Sequence, residues 1–334
     1  MPKEAYLWEK TEGKSALCRL CRFNCKIADG KSGICRVRIN KGGTLYSINY
    51  NKFVAAGVDP IEKKPLYHFL PATKSFSIAA AGCNFHCQFC QNWHISQYED
   101  DFEKLAHTID SQEIVSRAIS TDCKSISYTY TEPTVFMETA SDIAVLAKKS
   151  GLKNVFVSNG FMSREAIDFA ADWLDGANID LKAFTDKFYR QLTGANLEGV
   201  LDSLRYIKHN TRIHLEVTTL LIPEQNDSEQ EITLMAKFIA NELSPDTPWH
   251  ISAYFPAYNF SQASTQPQII RKACDIASRC GLKYVYAGNI ASQNNTLCPD
   301  CGEVIISRYG YNAEILVKKT QCPKCGAKIP IILA

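Results

Sequence analysis

What the sequence has little of narrows it first. Charge of either sign is not in excess: Lys and Arg total 37 against 35 Asp and Glu, a net of +2, so nothing predicts a polyanion-binding surface and nucleic-acid binding is disfavoured. Uninterrupted apolar runs are missing too. None approaches the roughly 18 residues that a membrane span needs, and Met1-Pro-Lys-Glu opens without the apolar stretch of a secretory leader. These two absences lead to the expectation of a cytoplasmic protein with no membrane contact. Disorder is disfavoured by composition, with 46% hydrophobic residues in 334, which is length enough for a barrel with appendages. The 14 cysteines are too sparse for a disulfide scaffold, and in a reducing compartment metal ligation is the first reading.

Eleven cysteines fall into three spaced groups, leaving Cys123, Cys274 and Cys280 outside. The last group, Cys298-x2-Cys301 and Cys322-x2-Cys325, forms two knuckles, each followed by the glycine that permits a tight turn. Four thiolates close a tetrahedron, which predicts a structural zinc ribbon clamping a hairpin over 303–308 and 314–319. The first group, Cys18, Cys21, Cys25 and Cys35, offers four thiolates that suit either zinc or a second iron–sulfur cluster. The turn Asp29-Gly30-Lys31-Ser32-Gly33 lets Cys35 return to the other three.

Between these groups short β-branched or aromatic runs alternate with helical patterns. Strands are expected over 76–81, 125–130, 154–158, 177–181, 213–221 and 250–255, and helices over 111–119, 134–148, 163–173, 197–208, 228–240 and 266–280. Six such units predict an α/β fold, a partial (β/α)6 TIM-like barrel over 71–290, preceded by a cysteine-rich metal-binding module over 1–70 and followed by the ribbon over 291–334. Chemistry in such folds sits in the loops at the C-terminal ends of the strands. Cys83 to Cys90, Thr131-Glu132-Pro133, Ser158-Asn159-Gly160 and Asp180-Leu181-Lys182 all fall there.

The middle group, Cys83-x3-Cys87-x2-Cys90, supplies three thiolates from one loop, which suits a [4Fe-4S] cluster with one iron left open. Cys83-Asn-Phe-His-Cys87-Gln-Phe-Cys90 after a strand resembles the signature of the radical S-adenosylmethionine (SAM) superfamily. With Asp59-Pro-Ile-Glu-Lys-Lys-Pro-Leu-Tyr-His68, Cys90-Gln-Asn-Trp93 and Tyr128-Thr-Tyr-Thr-Glu-Pro133, the text is similar to the AmmeMemoRadiSam-system proteins, relatives of pyruvate formate-lyase activating enzymes.

That resemblance implies an oxidoreductase in which Cys83, Cys87 and Cys90 hold the cluster, the cluster reductively cleaves SAM, and the 5′-deoxyadenosyl radical takes a hydrogen atom from substrate. It implies Phe89 near the adenine, Glu132 along the SAM ammonium, Ser158 and Asn159 at the methionyl end, Asp180 and Lys182 at the floor, and Thr218 as a weaker contact. Tyr130-Thr131 stands where relatives have two glycines, which should narrow the backbone approach. His214 and His250 read as satisfied barrel histidines. A low-potential donor of flavodoxin or ferredoxin type is implied. The substrate is expected to be a partner protein, as for a glycyl-radical activating enzyme, with a small molecule as the alternative. A metal-bearing electron carrier or scaffold without SAM chemistry is the reading from another class, and the missing fourth thiol of the middle group argues against it.

Overall fold

The computed structural model describes residues 2–97, 104 and 106–334. At its centre a nine-stranded sheet contains seven consecutive parallel strands: β1 (Lys74–Ala80), β2 (Cys123–Tyr128), β3 (Lys153–Ser158), β4 (Gly176–Asp180), β5 (His214–Leu221), β6 (Trp249–Ala253) and β7 (Val285–Gly288). Six helices alternate with them: α1 (Ser111–Ser120), α2 (Met137–Lys149), α3 (Arg164–Ala171), α4 (Leu197–Asn210), α5 (Glu229–Phe238) and α6 (Pro267–Arg279). The six βα units are those that the alternation predicts. The seventh strand is additional; at four residues it is too short to stand out as a run, and it is held by its ladder to β6. Ser163 and Ser228 precede their helices, their hydroxyls accepting from the amides of Ala166 and Glu231, which is why helices expected from 163 and 228 begin one residue later.

Strands β1 to β3 are buried along nearly their whole length, as parallel strands covered on both faces must be. On the β1 side the sheet continues into Lys52–Pro60, antiparallel to β1, and then into His107–Thr108. Lys52–Pro60 lies within the stretch expected to belong to the N-terminal module, yet it is hydrogen-bonded into the central sheet. Ahead of it lie two three-stranded sheets, Trp8–Lys10, Ala16–Cys18 and Lys26–Ile27 in one, Lys3–Glu4, Arg38–Lys41 and Thr44–Ser47 in the other. They join the helical layer through a buried ion pair: Arg38 and Glu138 are 2.6 Å apart, at 1% and 0% side-chain exposure. The same Glu138 oxygen accepts from the Tyr6 amide at 2.6 Å.

One buried carboxylate organises the opposite side. Glu216, the third residue of β5, accepts from the amides of Tyr67 (3.0 Å) and His68 (2.8 Å) and pairs with His214 (3.0 Å) and His250 (2.7 Å). Both histidines are thereby satisfied, as expected. Burial alone would raise the Glu216 pKa, but the two imidazoles hold it well below the usual carboxylate range. The segment 61–70 is thus pinned to β5, and the C-terminal stretch is pinned to that segment. Leu70 N donates to Ile332 O (2.8 Å), Ile332 N donates to His68 O (2.7 Å), and buried Arg308 donates to Tyr67 O (2.6 Å) and Thr296 Oγ1 (2.7 Å).

Around Cys298 and Cys322 a small core of Ile305, Ile306, Val317, Ile329 and Ile331 forms apart from the main one. Its hairpin pairs Val304–Tyr309 with Asn312–Ile315. The second strand is shorter and earlier than the expected 314–319, because the ladder closes at Tyr309↔Asn312 around a two-residue turn in which Gly310 takes a φ of 59°. Among the described residues no helix is long and apolar enough to cross a membrane.

The Arg38–Glu138 pair generates a test. Glu138→Ala would strand a guanidinium in the core and orphan the Tyr6 amide, so unfolding in denaturant should require about 3–5 kcal/mol less than in the unaltered protein. A loss below about 1 kcal/mol would mean that the pair does not hold the N-terminal sheets in place.

Candidate active site

The chain leaves β1 through Gly82, whose φ is 104°. A Cβ there would meet Val37 Cγ1 at 2.7 Å, so only glycine lets the strand end turn against the N-terminal sheets. The loop that follows is clamped from several directions. His86 N donates to Thr193 O at 2.8 Å and Gln88 N to Leu192 O at 3.0 Å, while the Gln97 side chain bonds His86 Nδ1 (2.8 Å) and Phe85 O (2.7 Å). Phe85 N is directed at Cys83 Sγ (3.4 Å), and Cys90 Sγ lies 3.3 Å from Ser96 Oγ. Burial raises the Cys83 thiol, and it raises Cys87 to about 12, so without a metal both stay protonated at neutral pH.

A single cavity of about 720 Å³ opens beside these sulfurs. Cys83, Cys87, Cys90, Phe89, Glu132, Ser158, Asn159, Asp180, Lys182 and Thr218 all line it, so every residue assigned to the central site from the sequence faces the same space. Sheet register explains part of this convergence. Asp180 stands beside Thr218 across the β4–β5 ladder, and Thr218 beside His250 across β5–β6, which sets three polar side chains in one row.

The polar groups differ in how far they are satisfied. Glu132, 1% exposed, accepts at one oxygen from Thr134 N (3.0 Å), Thr134 Oγ1 (2.5 Å) and Ser158 Oγ (2.8 Å), and at the other from Asn159 N (2.8 Å). It ties the loop after β2 to the end of β3. Burial raises its pKa, and these donors oppose the rise. Asn159 Nδ2 in turn donates to Asn84 Oδ1 at 2.7 Å and points towards Cys83 Sγ at 3.7 Å. Lys182 Nζ lies 2.7 Å from Asp180 Oδ2. Burial would push that ammonium down, but the Asp180 carboxylate outweighs it and holds the lysine above its usual range, so it stays charged. Thr218 Oγ1 is buried and has no hydrogen-bond partner among the described residues. Phe89 is buried between Phe188 and Phe260, at centroid distances of 5.7 and 6.3 Å.

Tyr130 occupies one of the positions where glycines were the comparison, and its φ is 65°. The backbone takes the glycine-like conformation with a bulky residue, and the surroundings hold it there. Its hydroxyl donates to Asp59, Lys64 Nζ lies 4.2 Å from the ring centroid, and its carbonyl accepts from Asn92 Nδ2 (2.9 Å). Asp59 also pairs with Lys64 at 2.7 Å, and burial brings that lysine down to about 8 against the pull of Asp59. The stretch Asp59 to His68 was prominent as a motif, but its spacing gave no reason to place Lys63, Lys64 and Tyr67 on the cavity wall, where they lie. Residues 288–292 complete the wall from the end of β7 and the loop after it, and Tyr309 and Tyr311 from the docked C-terminal hairpin, none of them with any sequence signal.

The two terminal cysteine groups differ from each other. Cys298 and Cys325 sulfurs are 3.6 Å apart, Cys301 and Cys322 sulfurs 3.5 Å, and the four lie within 4.8 Å of one another. Among the described residues no other three or more Cys, His, Asp or Glu ligand atoms gather so closely. Cys18, Cys21, Cys25 and Cys35 line a second, small cavity together with Asn84.

Comparison with known proteins adds four findings. The family model described as the radical SAM superfamily matches residues 77–236. The uncharacterized protein MJ0808 of Methanocaldococcus jannaschii is 40% identical over 337 residues, covering 99% of this chain and 100% of that protein. Among solved structures, a radical SAM methyltransferase from Sphaerobacter thermophilus aligns with a TM-score of 0.52 at 17% identity, covering 71% of each chain. Streptococcus suis SuiB bound to the precursor peptide SuiA aligns with a TM-score of 0.50 at 12% identity, over 71% of this chain and 55% of that one.

The role of Glu132 can be tested on the structure alone. Glu132→Ala should orphan the Asn159 amide and the Ser158 hydroxyl, at about 1–3 kcal/mol for each buried donor left unmet. Faster hydrogen exchange at Asn159 is the expected readout; unchanged protection would show that the carboxylate does not position the β3 end.

Proposed function

Because the chain belongs to the radical SAM superfamily, we propose that it is an enzyme in which Cys83, Cys87 and Cys90 hold a [4Fe-4S] cluster that cleaves SAM reductively. The observation that carries this reading is the meeting of those three cysteines, and no fourth, with the strand-end polar groups around one cavity. When bound, the cluster supplies the open iron and the electron that turn SAM into methionine and a hydrogen-abstracting 5′-deoxyadenosyl radical.

The chain's own residues bind and orient. Lys182, kept charged by Asp180, is suited to a carboxylate at the cavity floor. Thr218 Oγ1 offers an unused hydroxyl, and Phe89 an apolar face for the adenine. Asn159 meets the methionyl end, with Ser158 held behind it by Glu132. Glu132 is already engaged by four internal donors, so its contribution at the SAM ammonium is to hold the loop that reaches it. A low-potential donor of flavodoxin or ferredoxin type supplies the electron.

For substrate, we favour a polypeptide segment. The cavity wall carries Tyr309 and Tyr311, 80% and 50% exposed, at the tip of the C-terminal hairpin, where large amphipathic rings can grip a chain entering from solvent. The SuiB structure, solved with its precursor peptide, is consistent with that. A small molecule is the second reading, favoured by a cavity whose volume lies in the range of small-ligand sites. At the C-terminal sulfurs, separations of 3.5 and 3.6 Å suit the edge of a tetrahedron around zinc, about 3.8 Å for metal–sulfur bonds of about 2.3 Å.

Reconstituted without oxygen and reduced with dithionite, the protein should produce 5′-deoxyadenosine from SAM, and the variant combining Cys83→Ala, Cys87→Ala and Cys90→Ala should produce none. Persistent production by that variant would remove the central cysteines from the reaction. Cys298→Ser with Cys322→Ser should lose one zinc per chain; a purified protein containing no zinc would refute the ribbon assignment.

A further inference from the structure

The N-terminal cysteines stand beside the central site. Cys18, Cys21 and Cys35 are buried and Cys25 is half-buried, and all four line one small cavity together with Arg38 and Asn84. Two donors on that wall have no hydrogen-bond partner among the described residues, Arg38 Nε and Asn84 Nδ2, and both residues are 1% exposed. Backbone amides converge as well, Phe23 on Cys21 and Val37 and Arg38 on Cys35. Buried donors without acceptors are costly, and a ring of them around sulfur is what an anionic metal–thiolate group needs.

Those donors suit zinc and an iron–sulfur cluster equally; the sulfur spacing separates the two. A zinc tetrahedron draws its sulfurs to about 3.8 Å, and the C-terminal four are so drawn. A cubane holds its cysteine sulfurs outside the corners of a cube, roughly 6 Å apart. No three of Cys18, Cys21, Cys25 and Cys35 come within 4.8 Å of one another, and neither do Cys83, Cys87 and Cys90. The N-terminal group, like the central one, is therefore not drawn together as the ribbon's four sulfurs are.

We propose that Cys18, Cys21, Cys25 and Cys35 hold a second [4Fe-4S] cluster that relays electrons to the one at Cys83, Cys87 and Cys90. The relay role rests on the function proposed above; the metal assignment does not. Asn84 joins the two sites: it follows Cys83, accepts from Asn159 at the first cavity, and lines the second. Gly82 packs against the chain at Cys35, whose carbonyl lies 3.1 Å from where a glycine Cβ would be. Per SAM cleaved, the donor loses one electron, the second cluster gains and passes it on, and with the pair of the breaking carbon–sulfur bond it leaves a lone pair on the methionine sulfur and one unpaired electron on the 5′ carbon; no atom is transferred between clusters.

The test is metal stoichiometry with electron paramagnetic resonance on full-length protein prepared without oxygen. About eight irons and one zinc per chain are expected. The variant lacking Cys83, Cys87 and Cys90 should keep about four irons and a reducible cluster signal insensitive to SAM. About four irons with two zincs in the unaltered protein, or an iron-free triple variant that remains folded by circular dichroism, would overturn the second cluster. The relay is read with Cys18→Ala, Cys21→Ala, Cys25→Ala and Cys35→Ala combined, or with Cys25→Ser alone should the fourfold variant not fold. Reduction of the remaining SAM-sensitive cluster by flavodoxin should slow at least tenfold, while reduction by dithionite keeps its rate. Equal rates with both reductants would overturn the relay.

Discussion

A single buried carboxylate carries much of this architecture. Glu216 is fully buried on β5, and its two oxygens face two imidazoles and two backbone amides. An ionised carboxylate in such a place is tolerable only if it is saturated with donors, and the donors come from three separate parts of the chain. Because two of them are amides of Tyr67 and His68, the charge is compensated only when segment 61–70 lies against the barrel. Lys63, Lys64 and Tyr67 reach the cavity from that segment, and the C-terminal stretch docks on it.

The cavity follows a division of labour between held and free polar groups. Glu132 is consumed internally and buys a fixed relation between two strand ends, whereas Lys182 keeps its charge and Thr218 an unspent hydroxyl. The left-handed Tyr130 belongs to the first kind. A bulky residue at φ 65° is strained, and Asp59, Lys64 and Asn92 all act on it to maintain the conformation.

Much of this was legible in the sequence, for identifiable reasons. Six strands and six helices could be read because short β-branched or aromatic runs alternate with helical patterns along the chain. The central site could be read because its residues follow strand ends, and strand ends of one sheet face one place. What was not legible depends on long-range docking. β7 is four residues held by its neighbour, the hairpin register is set at Gly310, and Tyr309 and Tyr311 belong to the cavity through the docking of the C-terminal stretch. The metal preference of the first cysteine group was open for a similar reason, since spacing along a chain counts ligands but does not give the distances between sulfurs.

The bond from Arg308 to Tyr67 closes a loop of 241 residues. Contacts so distant form late, after the loop-closure entropy has been met by everything between them, and during synthesis Arg308 emerges when the sheets, the barrel strands and the first two cysteine groups are already outside the ribosome. The wall that Arg308 helps to dock is therefore the last part of the chamber to be supplied. Topology here sets a schedule: the strand-end loops come first, and the wall that closes them into a cavity comes with the final residues.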